Sequence, residues 1–434
     1  MDKMADVLGR AGAWCGQNKY LSAIKNAFQN FMPLTIAGAI GVLWCNVLVN
    51  DQTGLGLFFK PIMALDFLNP AFQAVNFCTI SCITVGITLG IAQEIGVWNM
   101  GAERAGYIPG LVGLAAWLSV TNTSHMVEGA KDAFTGIAGN ELGATGLFTG
   151  MIIGVLSVEL FCFFEKQDAL KIKMPEQVPP GVARAFEVLV PATITLIITA
   201  CIGSACYNLT GLYLNDVIKN GVQGPLGAVG ATVPGVMIIY LVIMLFWLVG
   251  IHGNNMLSAV KEALFTPLAL ENVEAFNKGE TPKNIINMYF LQMCGEFGGS
   301  GVTIGLVIAI MIFGKREDNK AIASLSLVPG LFNINETVTF GIPMVLNPIL
   351  GIPFVVAPLV TIIIGYVLTV IGFCPVACLT VPWTTPPIVF GFLACGANVM
   401  GAVTQAILIV VSTVIYVPFL ISYEKYQNKQ AAEA

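Results

Sequence analysis

Charged residues make up only 10% of this sequence, against about 25% in an ordinary soluble domain. A soluble fold of 434 residues cannot cover its surface with so few. Hydrophobic residues reach 56% and the mean hydropathy is +0.80, so the main solvent of the chain is the bilayer. The 20 basic residues are outnumbered by 25 acidic ones, a net charge of −5. This balance gives no sign of a nucleic acid or other polyanion as partner. Histidine occurs only twice, and no paired Cys or His cluster of metal-ligand spacing accompanies Cys374 and Cys378, so no metal or other cofactor is expected. Of the 11 cysteines, Cys45, Cys78, Cys82, Cys162, Cys201, Cys206 and Cys395 sit in apolar runs, where a thiol acts as a small hydrophobe. No disulfide framework follows. The sequence also lacks an uninterrupted apolar core in its first 31 residues, so no cleavable signal peptide is expected. No internal repeat is visible.

Long apolar runs are what the chain has instead. A span needs roughly 20 such residues, and 32–49, 72–96, 143–164, 186–213, 225–251, 285–313, 352–373 and 400–421 qualify. Shorter pieces lie at 107–120, 321–333, 338–350 and 375–393. The reading is an all-α integral membrane protein of about ten crossings, some of them broken. Ahead of them, residues 1–31 carry Met4, Val7, Leu8, Ala11, Trp14 and Cys15, then Leu21, Ile24, Phe28 and Phe31, at helical spacing. Lys3, Arg10, Lys19 and Lys25 lie on the other face. That pattern suits an amphipathic segment on the membrane surface, and equally one packed on protein.

The longest internal polar break, 165–185, holds Lys166, Lys171, Lys173 and Arg184 and the paired Pro179 and Pro180. It reads as a cytoplasmic linker. Lys315, Arg316 and Lys320, and the tail 422–434 with Lys425 and Lys429, read as cytoplasmic too. Around 121–141 the only basic residue is Lys131, which places that stretch outside. Six simple spans then return the chain inside near His252, and a simple span at 285–313 would put Lys315 outside. Something between 253 and 350 must therefore enter and leave by one face, or cross as a broken helix. Irregular backbone at membrane depth is tolerated only where protein or a water-filled cavity surrounds it. Gly298-Gly299-Ser300-Gly301, Pro329-Gly330 and Pro382, Pro386 and Pro387 interrupt three apolar runs in this second half. Broken helices of that kind form the midplane sites of transporters.

Ionisable residues inside a membrane are costly and are functional candidates by default. Three stand out: His252 in LVGIHGNNM, Glu296 in CGEFGGSG and Glu336 in LFNINETVTFGIP. Asn333, Asn335 and Glu336 make the densest cluster. Amides donate and accept while a carboxylate accepts twice, which matches the many hydroxyls of a sugar. Asn254 and Asn255 follow His252 directly, and Trp383 offers an aromatic face to a sugar ring, or a belt residue to the interface. Adjacent Glu103 and Arg104 read as a local ion-pair network, and His125 as incidental.

These motifs resemble one family. FNINETVTFGIPMVLNPILGIPF at 332–354 is similar to the signature of the membrane-spanning IIC component of bacterial phosphoenolpyruvate-dependent sugar phosphotransferase systems, of the lactose, cellobiose and diacetylchitobiose type. KNAFQNFMPLTIAGAI at 25–40, IKMPEQVPPGVARAF at 172–186, LVGIHGNNM at 248–256, GGSGVTIGL at 298–306 and PWTTPPIVFGF at 382–392 fit it in order. Where the family usually has proline after the glutamate, this chain has Thr337.

The resemblance implies a homodimer in the bacterial cytoplasmic membrane and a two-part, elevator-type transporter with re-entrant hairpins. The N-terminal half, 32–213, is then the scaffold and dimer interface, and 214–421 the sugar-carrying part. It implies that a disaccharide such as cellobiose or diacetylchitobiose is phosphorylated on its 6-hydroxyl while still bound. The donor is a phosphocysteine on a IIB protein, with IIA upstream; no stretch here has room for that domain, so a separate chain is expected. Glu336 and His252 are the expected catalytic pair, with Asn254, Asn255, Glu296, Asn333, Asn335 and Trp383 on the sugar. The competing reading is an ion-coupled secondary sugar transporter with Glu296, Glu336 and His252 as a proton relay. A membrane-embedded hydrolase is not expected, because no nucleophile, base and orienter arrangement appears.

Overall fold

The structure, a computed structural model, describes residues 10, 14, 17–51, 55–125, 134–175, 177–225 and 230–433. The expected surface-helix positions Met4, Val7, Leu8, Ala11 and Cys15 lie outside the described residues, as does Lys131. The chain is mostly helical and divides into two compact units, one of residues 17–38 and 74–227 and one containing 39–73 and 228–434.

α1 (Lys19–Leu43), whose residues up to 38 belong to the first unit, starts where the Asn18 side chain accepts from the Tyr20 and Leu21 N–H groups, both at 3.1 Å. That is an N-cap. Residues 19–31 are thus the first half of a 25-residue helix. α2 (Ile83–Met100), α3 (Ile108–Val120), α4 (Ala144–Glu165) and α5 (Pro180–Thr210) follow. Pro180 at the first position of α5 needs no hydrogen-bonded N–H there, and Gly211 ends the helix in the left-handed region. Small residues set the packing, as between membrane helices generally. A Cβ at Gly113 would stand 2.3 Å from the Ala92 Cβ, and one at Gly150 2.2 Å from the Thr88 hydroxyl. Trp117, fully buried, centres the cluster with Ala116, Val120 and Ile153. At one end Glu165, nearly buried, accepts from Arg104 (Nε, 3.0 Å) and Arg184 (Nη1, 3.0 Å), and both arginines also reach Glu187. Arg104 therefore belongs to an ion-pair network, but its partners are the distant Glu165 and Glu187 rather than the adjacent Glu103. His125 lies in a two-stranded ribbon, β1 (Ser124–His125) against β2 (Phe134–Thr135).

The second unit holds α6 (Val233–Leu248), α7 (Gly253–Met256), α8 (Ser258–Asn277), α9 (Met288–Gly295), α10 (Ile304–Phe313), α11 (Glu317–Leu331), α12 (Glu336–Gly341), α13 (Gly351–Val370), α14 (Val389–Ala394) and α15 (Val399–Glu433). Buried Asn287 caps α9, its Oδ1 accepting from the Tyr289 and Phe290 N–H groups while its Nδ2 holds the Asn284 and Ala377 carbonyls. Gln405, buried in α15, accepts from the Ile388 and Gly391 N–H groups at 2.7 Å each and so satisfies an irregular stretch at depth.

Among the described residues five helices are long and apolar enough to cross a membrane, and up to seven spans result if each of two bent helix pairs counts as one. One such pair, Met288–Val302 with Ile304–Phe313, is bent by 59°. No unbroken helix between residues 278 and 350 reaches the roughly 20 residues of a span, which is where simple crossings fail the positive-inside count.

Candidate functional site

Three interruptions of helix in the second unit, 296–303, 332–335 and 371–388, are tied together by side chains, and a fourth, 249–252, lies beside them through His252. The key is Asn333, which adopts a left-handed φ of 63°, a conformation asparagine tolerates better than most residues. Its Oδ1 accepts from the Gly298 N–H at 2.6 Å, and its Nδ2 donates to the Trp383 carbonyl at 2.5 Å and the Thr385 carbonyl at 3.0 Å. One amide thus clamps three segments. Asn335, buried, does similar work: its Nδ2 donates to the Ser300 carbonyl at 2.9 Å and to the Thr339 hydroxyl at 3.0 Å. The turn it grips needs glycine. At Gly299, φ is +88° and a Cβ would stand 2.6 Å from the Asn335 Cβ.

His252 comes from the loop after α6. Its Nδ1 accepts the Asn255 N–H at 3.2 Å and caps α7. An imidazole that accepts at Nδ1 carries its proton at Nε2. That Nε2–H group lies 3.9 Å from Glu336 Oε1, with 38% and 47% of the two side chains exposed. The Trp247 ring packs beside the imidazole, its centroid 4.4 Å away and its plane tilted by 48°. The gap is too long for a direct hydrogen bond. A hydroxyl set beside the pair, about 2.8 Å from each atom, can accept from Nε2 and donate to the carboxylate.

Beside this pair, Asn254 Nδ2 donates to the Ser300 hydroxyl at 3.2 Å, and its Oδ1 is buried with no partner among the described residues. Asn255 is exposed. Glu296, at the end of α9, takes the Lys261 ammonium and the Tyr240 hydroxyl on one oxygen. Trp383 is 44% exposed.

The profile of the family described as Phosphotransferase system, EIIC, matches residues 25–358. The oligo-beta-mannoside-specific EIIC component of Bacillus subtilis (strain 168) is 33% identical over 429 residues, which cover 98% of this chain and 94% of that protein. The cellobiose-specific EIIC component of Lactococcus lactis subsp. lactis (strain IL1403) is 30% identical, with 98% of each chain covered. Among solved structures, the transporter ChbC, the IIC component from the N,N'-diacetylchitobiose-specific phosphotransferase system, matches with a TM-score of 0.88 at 29% identity over 97% of each chain. The chain belongs to the phosphotransferase-system EIIC family.

As an EIIC component it is a sugar permease that works with IIA and IIB proteins. That membership decides against the ion-coupled alternative. Its Thr337, the departure from the usual proline, lies exposed at the second position of α12, where an N–H has no partner within the helix in any case. Sequence reasoning missed Lys261 and Tyr240, which adjoin this EIIC site. The rule that flagged Glu296 would have flagged Lys261 as well, because SAVKEALFTPLAL sets a charged pair in an apolar stretch. Nothing in the run VPGVMIIYLVIMLFWL marks Tyr240.

Proposed function

We propose that this EIIC component takes up a β-linked disaccharide such as cellobiose or N,N'-diacetylchitobiose. It presents the sugar's 6-hydroxyl between His252 and Glu336 to a phosphocysteine on IIB. The observation that carries this reading is the His252–Glu336 gap of 3.9 Å, partly open, with the imidazole tautomer set by the α7 cap. The Nε2–H orients the hydroxyl oxygen, and Glu336 accepts its proton as that oxygen attacks phosphorus. The new O–P bond forms as the S–P bond breaks, and IIB leaves with a cysteine thiolate. Such a transfer is mainly positioning and charge placement, with a general base for the attacking hydroxyl.

Asn254, whose Oδ1 lacks a donor among the described residues, Asn255 and Glu296 take further hydroxyls, and the Trp383 ring packs on a pyranose face. Asn333 and Asn335, first read as sugar ligands, are engaged by backbone and are assigned here to holding the site's segments together. On this reading the protein is a homodimer in the bacterial cytoplasmic membrane with about ten crossings. The 32–213 half is the scaffold, and the 214–421 half carries sugar by an elevator-type movement. The bent pair at 288–313 supports re-entrant elements, and every proposed sugar contact falls within the second unit.

The test uses inverted membrane vesicles with phosphorylated IIB and a panel of radiolabelled sugars. Wild type is expected to form a disaccharide 6-phosphate, and Glu336→Gln to bind the same sugar with phosphorylation reduced about 100-fold or more. Full phosphorylation in Glu336→Gln would sink the base assignment.

A further inference from the structure

Lys261 lies on α8 with 8% of its side chain exposed, and its Nζ contacts Glu296 Oε1. The Tyr240 hydroxyl, on fully buried α6 packing, donates to that same oxygen at 2.9 Å, and its ring centroid lies 6.0 Å from Nζ. Two donors on Oε1 leave Oε2 with no protein donor among the described residues, while the Glu296 side chain keeps 17% of its surface open. A carboxylate gripped by one oxygen and free on the other is an acceptor available to a ligand. Its surroundings make the grip necessary. Glu296 stands at the C-terminal end of α9, where the helix dipole disfavours an anion, so a compensating cation must lie close. They also make it stiff. A Cβ at Gly295 would stand 2.7 Å from Tyr240 Cε1 and 2.8 Å from Ile362 Cδ1, so the phenol packs flush against the end of the helix.

We infer that Lys261, together with Tyr240, is a positioning residue for sugar recognition, holding Glu296 by one oxygen so that the other accepts from the hydroxyls of a neutral disaccharide. This rests on the reading of Glu296 as a sugar ligand. Because the ammonium is already matched by a carboxylate, it offers no unpaired cation to an acidic sugar. Lys261 does not touch the reacting atoms, so its removal should act on sugar binding and leave the transfer step alone.

The experiment measures sugar phosphorylation in inverted vesicles with phosphorylated IIB, using cellobiose and N,N'-diacetylchitobiose as probes. Lys261→Met and Glu296→Gln are each expected to raise KM about tenfold or more with kcat within about threefold of wild type. The double variant is expected to be no worse than Glu296→Gln alone, since Lys261 then has nothing to position. A wild-type KM in Lys261→Met, or additive losses in the double variant, overturns the inference. Unchanged KM in Glu296→Gln removes Glu296 as a ligand and the inference with it. A raised KM in Glu296→Gln with an unchanged one in Lys261→Met removes the inference alone. Should Lys261→Met fail to fold, Tyr240→Phe decides, because it removes one of the two donors without stranding a charge. It is expected to raise KM a few-fold at constant kcat, and an unchanged KM would overturn the inference.

Discussion

At the scale of single residues, His252 performs two tasks with its two nitrogens. Nδ1 caps α7 by accepting from the Asn255 N–H, while Nε2–H faces Glu336. The tasks can be separated. Asparagine is a strong N-cap and can accept the same N–H, but it cannot reach forward with a second donor from the ring position. His252→Asn should therefore keep its melting temperature within a few degrees while sugar phosphorylation falls about 100-fold. His252→Ala loses the cap and the contact with Trp247 as well, about 1–2 kcal/mol together, and should melt lower in detergent. If the asparagine variant melted as low as the alanine variant, the cap would not be what the imidazole supplies. If it phosphorylated as wild type does, Nε2 would have no part in the transfer.

At the scale of elements, the site is made where helices stop, and the polar side chains that hold those stops decide its shape. Asn333 is the clearest case, because its amide bridges the 296–303 turn and the 383–385 loop. Asn333→Ala would strand two carbonyls and an N–H, each costing about 1–3 kcal/mol where water cannot replace the partner. The variant should melt well below wild type and show weaker sugar binding together with lower turnover, as a loosened frame affects both. Binding lost without any change in melting would instead make Asn333 a direct ligand. Thr337→Pro is the converse case. The first-turn N–H it would remove has no helical partner, and the variant should melt and phosphorylate within a factor of a few of wild type; unfolding would show that the Thr337 backbone is not where proline's fixed φ can sit. Much of this was legible in the sequence. The breaks at Gly298–Gly301 and around Asn333 were marked by glycine, by proline and by polar residues in apolar surroundings. What was not legible is which amides meet the sugar and which meet the backbone. An NINE motif shows four side chains but not where their partners lie, and Asn333 finds its partners 35 and 50 residues away. Tyr240 was invisible for a related reason. A phenol in an apolar helix reads as packing until the carboxylate opposite it is known.

At the scale of the whole molecule, the question is what drives accumulation. A proton-coupled carrier needs a carboxylate that loses and regains a proton on alternate faces, with its charge uncompensated for part of the cycle. Glu296 is a poor candidate for that role, held by Lys261 and Tyr240. Glu336 is nearly half exposed next to His252, and under the mechanism proposed above the proton it takes from the sugar hydroxyl passes on to water. The EIIC component needs no gradient of its own if the product cannot return. A sugar phosphate carries a charge of about −1.5 to −2, and lost hydration opposes the return of such an anion across an apolar barrier. The phosphoryl donor then acts as the ratchet. In right-side-out vesicles loaded with phosphoenolpyruvate and the soluble phosphotransferase proteins, a protonophore should change initial sugar uptake less than about twofold. Omitting phosphoenolpyruvate should reduce accumulation by at least about tenfold, down to the level set by simple equilibration, since every 1.4 kcal/mol of driving force withdrawn is a factor of ten. Glu336→Gln should behave as wild type does without phosphoenolpyruvate, equilibrating sugar across the membrane without concentrating it. Accumulation that survived the loss of phosphoenolpyruvate and collapsed with the protonophore would place the driving force in the proton gradient, and the ratchet would have to be abandoned.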